Sequence, residues 1–196
     1  VMRTAIGAHT GPWTIEDVEA LEDHGNHTRY EILFPGILTV SPAPGTVVHQ
    51  RASRNLANLL QTAATSVGAS VEVLAAVNVE IPGGLLTTPD IVVVDGEYSD
   101  SNPPRCQPEM VLAVVEIVAL NSRSQDRVIK PRLYASAGIA SYWRLELEKT
   151  LRLIVSELRR GQYVHTLTAP AGERAEIERP FPVVVDPADL VRQRRP

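Results

Sequence analysis

Cysteine is almost missing from this chain. Cys106 stands alone among 196 residues, which excludes a disulfide framework and a cysteine metal cluster. His9, His24, His27, His49 and His165 are scattered and show no zinc spacing. No glycine-rich loop suited to a P-loop or a dinucleotide fold is present, and no nucleophile-elbow motif for Ser/His/Asp hydrolysis. Excess positive charge is lacking too. Lys plus Arg total 19 against 23 Asp plus Glu, a net charge of −4, which argues against a broad basic surface that wraps nucleic acid. A small cationic groove on an acidic body remains compatible with that balance. No apolar run approaches membrane-spanning length and no apolar leader core opens the chain, so it reads as cytoplasmic, with no membrane partner. Repeats, low-complexity tracts and linkers are also missing. Residues 1–196 therefore read as one domain with a core from about 12 to 190 and a frayed basic tail at 192–196.

A hydrophobic fraction of 44% and a charged fraction of 21% are those of a globular protein able to bury a core. Thr14 with Asp17 three residues on forms a capping-box signature for a short helix carrying Ile15, Val18 and Leu21, with Gly25 as its stop. Residues 29–33 and 37–40, around Phe34-Pro35-Gly36, read as a β-hairpin. Val48, Ala52, Leu56, Leu59, Leu60, Ala63 and Val67 recur in steps of three and four, predicting the main helix from about 47 to 67, closed by Gly68. His49, Gln50, Arg51 and Arg54 lie near its start, where backbone N–H groups favour anions. Residues 77–81 alternate as a strand, and 89–94 and 111–118 are β-branched runs. A helix through Leu133, Tyr134 and Ala137 ends at Gly138, with Pro131 opening or kinking it. Residues 142–147, 151–158 and 163–167 predict a C-terminal β-meander, followed by a strand at 183–185 and a turn capped by Asp186. The fold class is α/β in the α+β mixed sense, a mixed sheet flanked by helices.

Two acids interrupt otherwise apolar strands. If 89–94 and 111–118 pair antiparallel, Asp90 faces Glu116 and Val94 faces Leu112, joined by a long polar loop from about 96 to 109. Glu116 then shares a face with Val114 and Val118. An ionised glutamate there is costly without a partner or a metal. Each acid also has a plainer reading, Asp90 as a solvated turn residue and Glu116 as a strand-end acid paired with an arginine. Side by side, the two suit a divalent cation or an acid/base pair. Downstream, Arg123, Arg127, Lys130 and Arg132 outnumber Asp126, a cationic cluster fit for a phosphodiester, or simply a solvated helix face. Glu31 is a third acid, or a polar strand position.

The ordered set Tyr30-Glu31, Pro42, His49-Gln50, Pro89-Asp90, Val115-Glu116, Asp126, Lys130, Tyr134, Gly138 and Tyr142-Trp143 resembles the putative restriction endonuclease family of the PD-(D/E)xK nuclease superfamily. The resemblance spans about 12 to 190 and implies a restriction-endonuclease-like fold. It implies that Asp90 and Glu116 ligate Mg²⁺ or Mn²⁺, with the Ile117 carbonyl as a third ligand, and that Lys130 and Glu31 complete the catalytic set. Superfamily enzymes carry a lysine two residues after the second acid, where this chain has Val118; Lys130 matches the position from which the family is thought to supply it. Ala119-Leu120-Asn121-Ser122 and Ser141 also depart from the family's pattern. The implied activity is a metal-dependent endodeoxyribonuclease acting as a homodimer on DNA, with His49, Gln50, Arg123, Arg127 and Arg132 as substrate contacts. The competing expectation is a catalytically inactive module of the same fold that binds nucleic acid or a protein.

Overall fold

A computed structural model describes residues 6–21, 28–42, 46–119, 122–148 and 150–193. Helix α1 (Ile15–Glu19) has the expected capping box: Asp17 N–H donates to Thr14 Oγ1 at 3.2 Å and Thr14 N–H to Asp17 Oδ2 at 2.9 Å. It ends with Ala20 as cap, and Gly25 lies outside the described residues. The hairpin is β1 (Arg29–Phe34) and β2 (Ile37–Ser41), antiparallel with a bulge after Ile32. The long helix α2 (Val47–Ser66) follows, with Thr46 as N-cap.

Strands β3 (Val71–Ala75), β4 (Val79–Ile81), β5 (Leu85–Thr87) and β6 (Ile91–Asp95) come next, then α3 (Gly96–Asp100) and β7 (Val111–Val118). A π-helical turn (Gln125–Ile129) runs into α4 (Lys130–Ser136), followed by β8 (Ser141–Glu146), β9 (Arg152–Arg159), β10 (Gln162–Pro170), β11 (Ala175–Ile177), β12 (Val183–Val185) and α5 (Pro187–Val191). Among the described residues three sheets result. Six strands run in the order β10-β9-β8-β7-β6-β3, four in the order β2-β1-β5-β4, and β11 pairs with β12. In the six-stranded sheet only β7 and β8 are parallel, so the chain must cross over between them, and α4 makes that crossover.

The central strands are buried on both faces, which is why they read as near-continuous apolar runs. One face, with Ile91, Val93, Val115 and Ile117, packs on Ala52, Leu56, Leu60 and Ala64 of α2. The other, with Val92, Val94, Val114 and Tyr142, packs on Ile32, Ile81 and Leu86 of the smaller sheet and Tyr134 of α4. Glu116 belongs to that second face, between two sheets and a helix.

Several expectations change. Strand β6 begins at Ile91 and leaves Asp90 on the bend before it, because Pro89 has no N–H to give a ladder. The β6–β7 register holds from Ile91 opposite Val115 to Val93 opposite Ala113, then slips so that Val94 meets Val111, not Leu112. The connection after it is not plain loop: it holds α3 and a 3₁₀ turn (Pro108–Met110). Strand β5 is only three residues long and takes its form from partners in β1 and β4, which no local periodicity reveals. The basic tail falls partly outside the described residues, and Arg192 itself pairs with Asp189 at 3.1 Å.

Candidate active site

Asp90 enters from the bend before β6 and is clamped on both oxygens. The Ile117 N–H of β7 donates to Oδ2 at 2.7 Å, and the Arg29 guanidinium donates to Oδ1 at 2.5 Å. His49, in the first turn of α2, brings Nε2 within 3.0 Å of the Ile117 carbonyl and 3.5 Å of Asp90 Oδ2. Its Nδ1 is buried with no hydrogen-bond partner among the described residues. The His49 N–H in turn donates to Thr46 Oγ1 at 3.2 Å, so the helix cap sets where the imidazole starts.

Glu116 is 1% exposed, and its Oε1 accepts from Tyr134 Oη at 2.7 Å and Lys130 Nζ at 3.1 Å. Lys130 Nζ also lies 2.9 Å from Glu31 Oε1 and 3.8 Å from Asp126 Oδ1. Glu31 Oε1 takes a further bond from Thr88 N–H at 2.8 Å. The ammonium therefore sits among three carboxylates brought from β1, β7 and the π-turn.

The π-turn has a local cause. Pro131 cannot donate to the carbonyl four residues back, and its ring crowds that carbonyl. The turn widens so that Lys130 N–H bonds Gln125 instead. Asp126 and Lys130 then both face inward, and Tyr142 Oη donates to the Asp126 carbonyl at 2.5 Å.

Burial dominates the electrostatics. It lifts the Glu116 carboxyl to about 8, with Asp126 and Asp90 adding to the rise and Lys130 and Arg29 opposing it. Burial likewise lifts Asp126 to about 6 against the pull of Lys130. For Asp90 burial again pushes upward, but the His49 hydrogen bond, the charges of Arg29 and His49 and the Ile117 N–H outweigh it and hold the carboxyl below its ordinary value. Lys130 is the mirror case: burial would strip its proton, yet Glu116, Glu31 and Asp126 hold it above the ordinary lysine value, as an ammonium.

Among the described residues no three His, Cys, Asp or Glu side chains form a metal-holding group by themselves. The donor chemistry nonetheless suits a hard divalent cation. Asp90, Glu116 and the Ile117 carbonyl are oxygen donors, and Mg²⁺ commonly takes one or two carboxylates and completes its shell with water and substrate phosphate. The charge balance agrees: four buried acids (Glu31, Asp90, Glu116, Asp126) face two permanent cations (Arg29, Lys130), an excess of two negative charges when all are ionised.

The structure thus gathers Asp90, Glu116, Ile117, Lys130, Glu31 and His49 in one place. Gln50 lies exposed on the same turn as His49, and Arg132 is exposed on α4. Arg123 and Arg127 line a separate pocket with Glu146 and Glu148. Sequence reasoning missed Arg29 as the partner of Asp90. Its signal was the alternation of β1, which puts Arg29 on the same face as Glu31. It also gave Tyr134 no role, although a tyrosine one helical turn after Lys130 shares that residue's face.

This mixed sheet, backed by α2 and carrying buried acids and a lysine on its other face, defines a nuclease-type α+β fold. It is shared with the crystal structure of a putative nuclease belonging to DUF820 from Anabaena variabilis, with a TM-score of 0.66 and 15% identity over 92% of this chain and 98% of that one. The chain belongs to the Uma2 family, described as "Putative restriction endonuclease", whose model matches residues 15–189. No curated protein matches it.

Proposed function

We propose that the chain is a metal-dependent endodeoxyribonuclease. The observation that carries this reading is the Lys130 ammonium at the start of α4, held 2.9 Å from Glu31 Oε1 of β1 and 3.1 Å from Glu116 Oε1 of β7. Asp90, Glu116 and the Ile117 carbonyl would hold Mg²⁺ or Mn²⁺, which supplies Lewis acidity at the scissile phosphate. Lys130, kept protonated by its three acids, acts as a hydrogen-bond donor and positive charge toward the phosphate and orients the attacking water rather than taking its proton. Tyr134 and Thr88 fix the Glu116 and Glu31 carboxylates, so that the ammonium is positioned before substrate arrives. Arg29 holds Asp90 on rigid backbone. The protein would work in the cytoplasm as a homodimer, since cutting both strands takes two sites.

Incubation of plasmid DNA with Mg²⁺ or Mn²⁺ tests this. Wild type nicks or linearises it, while Glu116→Gln and Lys130→Ala lose at least about a hundredfold in rate, the typical weight of one electrostatic catalytic group. Cleavage persisting in both variants overturns the mechanism.

One observation favours a second reading, a non-catalytic module of the same fold. Asp90 Oδ1 is already engaged by Arg29, and Glu116 Oε1 by Lys130 and Tyr134. In that case calorimetry detects no Mn²⁺ binding, and Asp90→Ala changes nothing.

A further inference from the structure

A polar cavity of about 240 Å³ is lined by Arg123, Arg127, Glu146, Glu148, Thr150 and Arg152. It lies on the sheet face that carries Glu116. Directly paired residues share a face, and the register runs Glu116 to Arg144, then Val118 to Glu146 to Arg152. With strands about 4.8 Å apart and a rise of about 3.3 Å per residue, Glu146 stands roughly 8 Å and Arg152 roughly 12 Å from Glu116 along the sheet.

The arginines here are held, not merely present. Glu146 is 2% exposed and accepts from Arg127 Nε at 3.1 Å and from Arg127 Nη2, with Arg144 Nε 3.9 Å away. That pairing locks the Arg127 guanidinium in one plane while using only part of its donor set, and its side chain remains 39% exposed. Arg123 pairs with Glu148, and its Nε is buried with no hydrogen-bond partner among the described residues. Arg152 is exposed at the mouth. Three arginines against two glutamates make a locally positive pocket in a chain of net charge −4.

We propose that this pocket binds a backbone phosphate of the nucleic acid close to the scissile one on the same strand, roughly 8–12 Å from Glu116 along the sheet. The chemistry recognised is a phosphodiester monoanion, taken by guanidinium N–H donors oriented by buried carboxylates. The proposal rests on the nuclease reading for the position of the scissile phosphate, but not for the pocket's affinity for phosphate. Because the pocket contacts backbone and no base edge, it sets register on the strand without reading sequence.

The test measures duplex-DNA affinity of the full chain against salt, in chelator, for wild type, Arg123→Gln, Arg152→Gln and the distant Arg159→Gln. Arg159 lies at the far end of β9 and its side chain is 61% exposed. Each pocket variant should weaken binding several-fold and lower the slope of log K against log salt by about 0.9, the loss of one phosphate contact. Arg159→Gln should match wild type. Arg152→Lys, which keeps the charge and loses the fork, should restore the slope. An unchanged slope in both pocket variants overturns the proposal, as does an equal loss in Arg159→Gln, which would mean diffuse charge. Plasmid cleavage, scored separately, keeps the two readings apart. Nicking with no pocket effect leaves the nuclease standing and removes the pocket. Pocket-dependent binding by a wild type that cuts nothing does the reverse.

Discussion

Asp126 shows how burial tunes one residue. Its carboxyl is lifted from 3.8 to about 6, chiefly by desolvation. An acid whose folded value lies above its unfolded value keeps its proton longer in the native state. The native state then binds more protons between pH 3.8 and about 6, and stability falls as pH rises through that window. At 1.36 kcal/mol per unit the loss is on the order of 3 kcal/mol. Asp126→Asn removes the titration, so in chelator its stability relative to wild type should be higher at pH 6.5 than at pH 4 in urea denaturation. A difference that is flat with pH would mean that Asp126 is not buried. Glu116 and Lys130 follow the same physics with opposite charges: the ammonium is tolerable only because three acids surround it, and the acids only because of the ammonium and Arg29.

At the level of elements, α2 links the core to the site. Its apolar stripe packs on the six-stranded sheet, while its first turn delivers His49 to the Ile117 carbonyl. Thr46 caps that turn, so Thr46→Ala should cost about 1 kcal/mol in thermal or urea unfolding. Loss of the cap also frees the His49 N–H, and the imidazole resonance should shift in an NMR spectrum of the variant; an unmoved resonance would separate the cap from the site. The N-terminal half of α2 is tied down by Asn55, whose amide donates to the Leu190 carbonyl at 2.9 Å, and by Arg51, which reaches the Val191 carbonyl at 3.1 Å. Helix α5 therefore docks on the element that positions His49. The π-turn performs the matching task on the other side, and its cause is a single proline.

Across the whole molecule, Cys106 reports the joint between the two larger sheets. It is 2% exposed, and burial, helped by Glu72, pushes its thiol above the ordinary value. Its backbone pairs with Asn78 and Glu80 beside β4, at 2.7 and 2.9 Å. Native protein should therefore react with a thiol reagent far more slowly than urea-unfolded protein, at a rate that follows global opening. Labelling in native buffer at the unfolded rate would show that this joint opens independently. Arg105 closes the same region from outside, bridging Glu80 at 2.7 Å and Glu19 of α1 at 2.9 Å.

Much of this was legible in the residue order. The α2 stripe, the α1 capping box, the β1–β2 hairpin and the β8–β10 meander carry their own periodicity and punctuation, so local physics specifies them. The β6–β7 register was legible from Ile91 to Val93, since two apolar runs with one acid each align in only one way that brings the acids together, but the slip that sets Val94 against Val111 was not. What the sequence could not decide is which groups meet across elements. Strand β5 exists only against its neighbours. Arg29 reaches Asp90 because the smaller sheet stacks over the larger one. Arg127 turns to Glu146 because the parallel β7–β8 crossover sets the π-turn above the end of β8. The carboxylates, ammonium and guanidinium come from four separate stretches of the chain, at Arg29 and Glu31, Asp90, Glu116, and Asp126 and Lys130, and only burial in a shared low-dielectric space makes their charges depend on one another.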